Sequence, residues 1–287
     1  WVNQQDGTFA DEAVFRGCAF NAAGRVEAGM GVGIADVDTD GKLDLFKTHI
    51  SGETNTMYLS GGMSDLYTDS TAQGRMGAVD RPYTGWGCGF FDFDHDGHMD
   101  MAVANGRVTR GVGDAQSPLG EFWSRFAEPN LVFVGDGHGK FENVSSKCGA
   151  FGADALVSRG MAFADLDADG DLDLVTQQID NSLRVYRNDA PQPGAHWLIV
   201  RTVTGQRDAY GAEVIVEAGK RRLLSVAHPA YSYLSSNDPR AHFGLGEADH
   251  VDALTVVWPS GRRESFPPPQ VDQAVVLREG EGEPLSE

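Results

Sequence analysis

Asp36-Val37-Asp38-Thr39-Asp40-Gly41-Lys42-Leu43-Asp44, Asp92-Phe93-Asp94-His95-Asp96-Gly97-His98-Met99-Asp100 and Asp165-Leu166-Asp167-Ala168-Asp169-Gly170-Asp171-Leu172-Asp173 are copies of one nine-residue pattern. Each follows a Gly-rich lead-in: Gly31-Val32-Gly33, Gly87-Cys88-Gly89 and Gly160-Met161-Ala162. Later in each repeat an Asn opens a short β-rich run, at residues 55–59, 130–134 and 181–186. One repeat then ends in Gly135-Asp136-Gly137-His138-Gly139-Lys140-Phe141, and Gln5-Asp6-Gly7-Thr8-Phe9 repeats that ending near Trp1. The chain therefore reads as starting inside the last strands of an earlier repeat. Repeats of roughly fifty residues with several short strands and no long 3.6-residue period suit propeller blades of four antiparallel strands. A β-sandwich with repeated loops ranks behind, because the copies share one strand order.

The pattern is Asp-x-Asp-x-Asp-Gly-x-x-Asp. Oxygen donors at alternate places on a tight loop suit a hard cation, and Gly at the sixth place permits the turn. The expected ligands are Asp36, Asp38, Asp40 and Asp44, then Asp92, Asp94, Asp96 and Asp100, then Asp165, Asp167, Asp169 and Asp173. The backbone carbonyls of Lys42, His98 and Asp171 fill the seventh place. Calcium, with six to eight oxygens in flexible geometry, fits better than magnesium, one ion per loop and about three in all. An EF-hand is excluded: it needs Glu at the twelfth place, where Lys47, Val103 and Thr176 stand, and the flanks read as strands. A solvated acidic hairpin is the plain alternative, but carboxylates so crowded repel one another without a cation. His95 and His98 read as outward-pointing, solvated residues within the second loop.

After residues 188–194, which contain Pro191 and Pro193, the Asp loops stop. Runs at 197–200, 212–218, 222–226, 254–258 and 274–277 read as strands of a small all-β, sandwich-like domain. The expected organisation is residues 1–190 as propeller repeats (about three blades and part of another), 195–279 as the C-terminal domain, and 280–287 as a polar tail. Between the strands lie His228, Asp238 and His242 beside several Ser. They lack a Gly-x-Ser-x-Gly elbow and read as turn chemistry rather than a catalytic triad.

The Asp loops with their lead-ins resemble the FG-GAP/VCBS repeats of integrin-type propellers. Arg207-Asp208-Ala209-Tyr210-Gly211-Ala212, His242-Phe243-Gly244-Leu245-Gly246 and Val257-Trp258-Pro259-Ser260-Gly261 resemble the ASPIC/UnbV domain. Together they are similar to bacterial relatives of cartilage acidic protein. That resemblance implies calcium in the blade loops, export from the cytoplasm to the extracellular space, cell surface or periplasm, and a propeller commonly of seven blades. This chain holds fewer, so either a longer protein or partner chains are expected to complete the ring.

A formal charge of −19 argues against nucleic acid as a partner. No apolar run is long enough to span a membrane. Cys88 reads as a core residue, and Cys18 and Cys148 as buried thiols rather than a disulfide pair. The insertion between Asn105 and Asn130, with Phe122, Trp123 and Phe126, reads as a loop folded on its own aromatics. Three functions stay open. One is a non-catalytic adhesion, matrix or scaffold protein that binds a protein or glycan. Another is an accessory subunit of a larger cell-envelope complex. The third is a polysaccharide lyase or dehydratase, for which His49, Arg81, Tyr83 and His138 are scattered candidates.

Overall fold

The computed structural model describes residues 1–61, 66–179, 183–190 and 193–285. Asn181, Pro191 and Gln192, on which parts of the repeat and linker readings rest, lie outside the described residues.

The described residues form five sheets of three or more strands, in a β-propeller arrangement with an all-β C-terminal domain. The first blade is Val32–Ala35, Asp44–Lys47, Thr56–Gly61 and Leu66–Asp69, each strand antiparallel to the next. The second is Gly85–Phe91, Asp100–Asn105, Leu131–Gly135 and Phe141–Asn143. The third has Ser158–Ala164, Asp173–Gln178 and Leu183–Tyr186. Each Asp loop joins the first two strands of its blade. Near the N-terminus, Val2–Asn3 pairs with Phe9–Ala10 around the Asp6-Gly7 turn, the hairpin expected of a blade's ending.

Strand periodicity explains how the blades stack. Side chains alternate between the faces of a strand, and Asp100–Asn105 is buried on both. Met101 and Val103 enter the core shared with the first blade, among Phe46, Met57 and Phe90. Ala102 and Ala104 enter the core shared with the third, among Met161, Phe163 and Leu174. The lead-in glycines do more than punctuate. A Cβ on Gly87 would lie 2.7 Å from Met161, and one on Gly89 would lie 2.5 Å from the Phe163 ring. The first strands of adjacent blades can approach this closely only where a side chain is missing.

The C-terminal domain is a sandwich. His196–Thr204 pairs antiparallel with Ala241–Gly246 and parallel with Gln273–Arg278. The facing sheet runs Arg221–Ala227, Ala212–Ala218, Ala253–Val257, Arg263–Phe266, Glu283–Pro284. Leu198, Val200, Phe243 and Leu245 pack on Val214, Val216, Leu254, Val256 and Trp258. Trp258 of the Trp-Pro-Ser-Gly turn is buried and donates from Nε1 to Glu264 at 2.9 Å, and Glu264 also accepts from Gly280 N. Part of the expected polar tail therefore joins this sheet, since Glu283–Pro284 pairs with Glu264 and Ser265.

A tongue, residues 228–240, leaves this sandwich and crosses the first strands of all three blades. Ser232 exchanges backbone hydrogen bonds with Val32. Its hydroxyl accepts from Cys88 N at 3.1 Å and donates to Met161 O at 2.8 Å. Asn237 Oδ1 accepts from Phe163 N at 3.1 Å, and Asp238 N donates to Phe163 O at 3.0 Å. First strands that would otherwise show a bare edge are thus paired by a segment remote in sequence. Ser232→Ala should cost about 2–6 kcal/mol, because it strands a buried N–H and a buried C=O at about 1–3 kcal/mol each. Denaturant unfolding measures this directly, and an unchanged midpoint would mean that the tongue is not anchored there.

Candidate metal centres

The three loops repeat one backbone path. Thr39, His95 and Ala168 at the fourth place are left-handed at φ 59°, 60° and 64°, and the glycines at the sixth place follow at 85°, 86° and 99°. The path is closed by the acids themselves. Asp36 accepts from Asp40 N and Gly41 N at 3.1 and 3.0 Å, and Asp92 from Asp96 N and Gly97 N at 3.1 and 2.8 Å. The fifth-place acids Asp40, Asp96 and Asp169 each accept the N–H of the seventh residue, Lys42, His98 or Asp171.

The consequence is three clusters: Asp36, Asp38 and Asp40; Asp92, Asp94 and Asp96; Asp165, Asp167 and Asp169. Within each, one oxygen of every carboxylate lies within 4.8 Å of the others. Burial, helped by the neighbouring acids, pushes Asp36 up to about 6 and Asp92 well above the usual carboxylate range. Asp38 and Asp94 are raised for the same reasons. In the third loop, Asp165 Oδ1 is buried with no hydrogen-bond partner among the described residues. Crowded carboxylates with an orphaned oxygen fit a hard divalent cation: an oxygen-only donor set attracts it, and its charge removes the repulsion.

The ninth-place acids, also expected as ligands, accept backbone hydrogen bonds at both of their oxygens. Asp44 accepts from Val37 N at 2.9 Å and Ser60 N at 2.7 Å. Asp100 accepts from Phe93 N at 3.1 Å and Gly135 N at 2.9 Å. Asp173 accepts from Leu166 N at 3.2 Å and Asn188 N at 2.8 Å. Each buried carboxylate ties the start of its loop to the third strand of its blade or the segment that follows it. Burial pushes Asp44 up to about 7 and Asp100 up to about 9. Asp171, with burial first and Asp169 next, reaches about 7, and its carboxylate lies 3.5 Å from His95 Nε2.

His95 corrects the sequence reading. It is 1% exposed, wedged between the second and third loops, with its ring 5.2 Å from that of His242. His98 is half-buried rather than solvated, with Nδ1 enclosed. The scattered candidates each make their own contacts. His49 is buried and bonds to Thr56 Oγ1 at 3.1 Å, Arg81 donates to Gly52 O, and Tyr83 packs in the core between the first two blades. His138 lies on the turn beside the first loop, where Thr39 Oγ1 donates to Gly137 O at 3.4 Å. Asp238 is forked by Arg240, and His228 lies edge-on to Tyr231; both line one small cavity with Ser225 and His242. Phe122, Trp123 and Phe126 stack on one another as expected of a self-packed insertion. Cys88 is buried, Cys18 and Cys148 are half-buried, and all three are free thiols.

Sequence reasoning missed the strand Ala241–Gly246, which had read as part of a turn-rich stretch. Its Gly-x-Gly spacing was the available signal. Phe243 and Leu245 face the sandwich core, so His242, Gly244 and Gly246 face the other way, toward the Asp loops. Residues 202–284 match the ASPIC and UnbV family. The matched stretch falls within the C-terminal domain. About nine-tenths of the chain is similar to cartilage acidic protein 1. It is 27% identical to the Mus musculus protein over 280 residues, which takes in 92% of this chain and 38% of that protein. The Xenopus tropicalis protein is 27% identical over 269 residues, 91% of this chain and 37% of that one. The Homo sapiens protein is 26% identical over 280 residues, with shares of 92% and 37%. The chain thus spans less than two-fifths of the length of these relatives. No helix among its described residues is long and apolar enough to cross a membrane.

Proposed function

We propose that this chain is a calcium-binding propeller protein of the extracellular space or cell envelope, which works by binding a protein or glycan rather than by catalysis. The observation that carries the reading is the threefold recurrence of one loop that gathers three carboxylates within 4.8 Å. The likeness to FG-GAP/VCBS repeats supports calcium as the ion, and the carbonyls of Lys42, His98 and Asp171 would complete the shells. The ions would stiffen the blades and hold the binding surfaces in place. Relatives named for cartilage, a tissue rich in extracellular matrix, support the location.

A role within a larger assembly is favoured by one further observation. Leu183 and Val185 on the outer strand of the third blade, and Trp1, Phe9 and Phe15 near the other end, are exposed. Such faces commonly meet a neighbour.

Isothermal titration with calcium is expected to give three sites. Asp94→Asn combined with Asp96→Asn should remove one of them and leave two. Heat of binding absent at about 1 mM calcium, the range of weak extracellular sites, would overturn the reading.

A further inference from the structure

We propose that the C-terminal domain reads the cation state of the second and third Asp loops, so that its seating and their cation affinity rise and fall together. This rests on the reading of those loops as cation sites.

The contacts all fall on loop groups that a bound cation would fix. Arg221 donates to the backbone carbonyl of Asp96 and lies over Gly97, leaving no room there for a Cβ. Gly246 lies under the same guanidinium, and its N–H donates to His95 O at 2.8 Å. Gly244 lies against the Asp92 carboxylate and the His95 backbone, so a side chain at that place would strike both. On the third loop, His242 Nε2 meets Gly170 O at 2.9 Å, and the Trp197 indole covers Gly170 where a Cβ would stand. Trp197 and Gly244 are register partners on adjacent strands, so one face of the sandwich lies over both loops.

The segment that joins the domains is fastened to the same two loops. Asn188 donates from its side chain to Phe93 O at 2.8 Å and from its backbone to Asp173 at 2.8 Å. Arg187 lies 3.7 Å from Asp167. A loop that rearranges on losing its ion changes the positions of Asp92, His95, Asp96 and Gly170 together. The domain makes rigid, close contacts with all four and cannot follow without losing them. Linkage is reciprocal: if the ion favours the seated domain, the seated domain raises affinity for the ion by the same factor.

The test uses the full chain with two readouts, calcium affinity by competition with a chromophoric chelator and tryptic cleavage after Arg187. Calcium is expected to protect Arg187 and chelator to expose it. Gly244→Ala should weaken calcium binding at one site roughly tenfold, within the usual range for coupled sites, and shift protection to higher calcium. Arg221→Gln, which alters a contact and leaves the sandwich core intact, should act in the same direction. Three sites of unchanged or raised affinity in both variants, with Arg187 equally protected in calcium and chelator, would overturn the linkage and leave the cation reading standing. A wild-type chain that takes up no calcium would overturn both.

Discussion

Chelation of calcium at neutral pH is expected to lower the melting temperature of this chain by about 15–30 °C. At calcium a hundredfold above its dissociation constant, each filled site stabilises the folded state by about 2.7 kcal/mol, and three by about 8 kcal/mol. In a chain of this size each kcal/mol moves the midpoint by about 2–4 °C. The pH dependence gives a second signature. Without an ion, Asp36, Asp44 and Asp171 titrate at about 6, 7 and 7 in the folded chain, against 3.8 when unfolded. Between 3.8 and these values the folded state holds protons that the unfolded state has released, so stability falls as pH rises through that window. Each unit of difference corresponds to about 1.4 kcal/mol. Calcium competes with those protons, so the slope should reverse and stability should rise from about pH 4 to 7 in its presence. Thermal melts across that window in calcium and in chelator check both points. Slopes of the same sign in the two series would mean that the loops take up no cation.

Asp100→Ala is expected to cost about 2–6 kcal/mol, because it leaves Phe93 N and Gly135 N buried and unpaired, at about 1–3 kcal/mol each. The carboxylate is fully buried and bridges the loop to the third strand of its blade, so water cannot replace it. The same substitution separates two roles. If Asp100 acts as a strand tie, its cost is equal in calcium and in chelator. Asp94→Asn, within the oxygen cluster, should cost stability in calcium and little in chelator. Denaturant unfolding of both variants under both conditions forms a double cycle, and a calcium-dependent cost at Asp100 would return it to the ligand set.

The Asp loops and the blade repeat were legible in the sequence because their chemistry is local. Alternating carboxylates, a glycine where the chain turns and strands of period two are written within a dozen residues, and Asp36, Asp92 and Asp165 fall into place from neighbours alone. The strands of the C-terminal domain were legible for the same reason wherever apolar residues alternate, as in Ala212–Ala218. The rest depended on which surfaces meet. The second oxygen of Asp44, Asp100 or Asp173 finds its donor 15 to 35 residues away. His95 is buried because a strand about 150 residues later, carrying His242, closes over it. Ala241–Gly246 looked like a turn because its glycines suggest one. It is a strand because those glycines let it pass close over a loop that the sequence places far away. By itself the sequence determined the loops, the blades and the cation chemistry they suit. Only the tertiary structure decided that the C-terminal domain is fitted onto those loops, because close packing between distant segments leaves no local pattern to read.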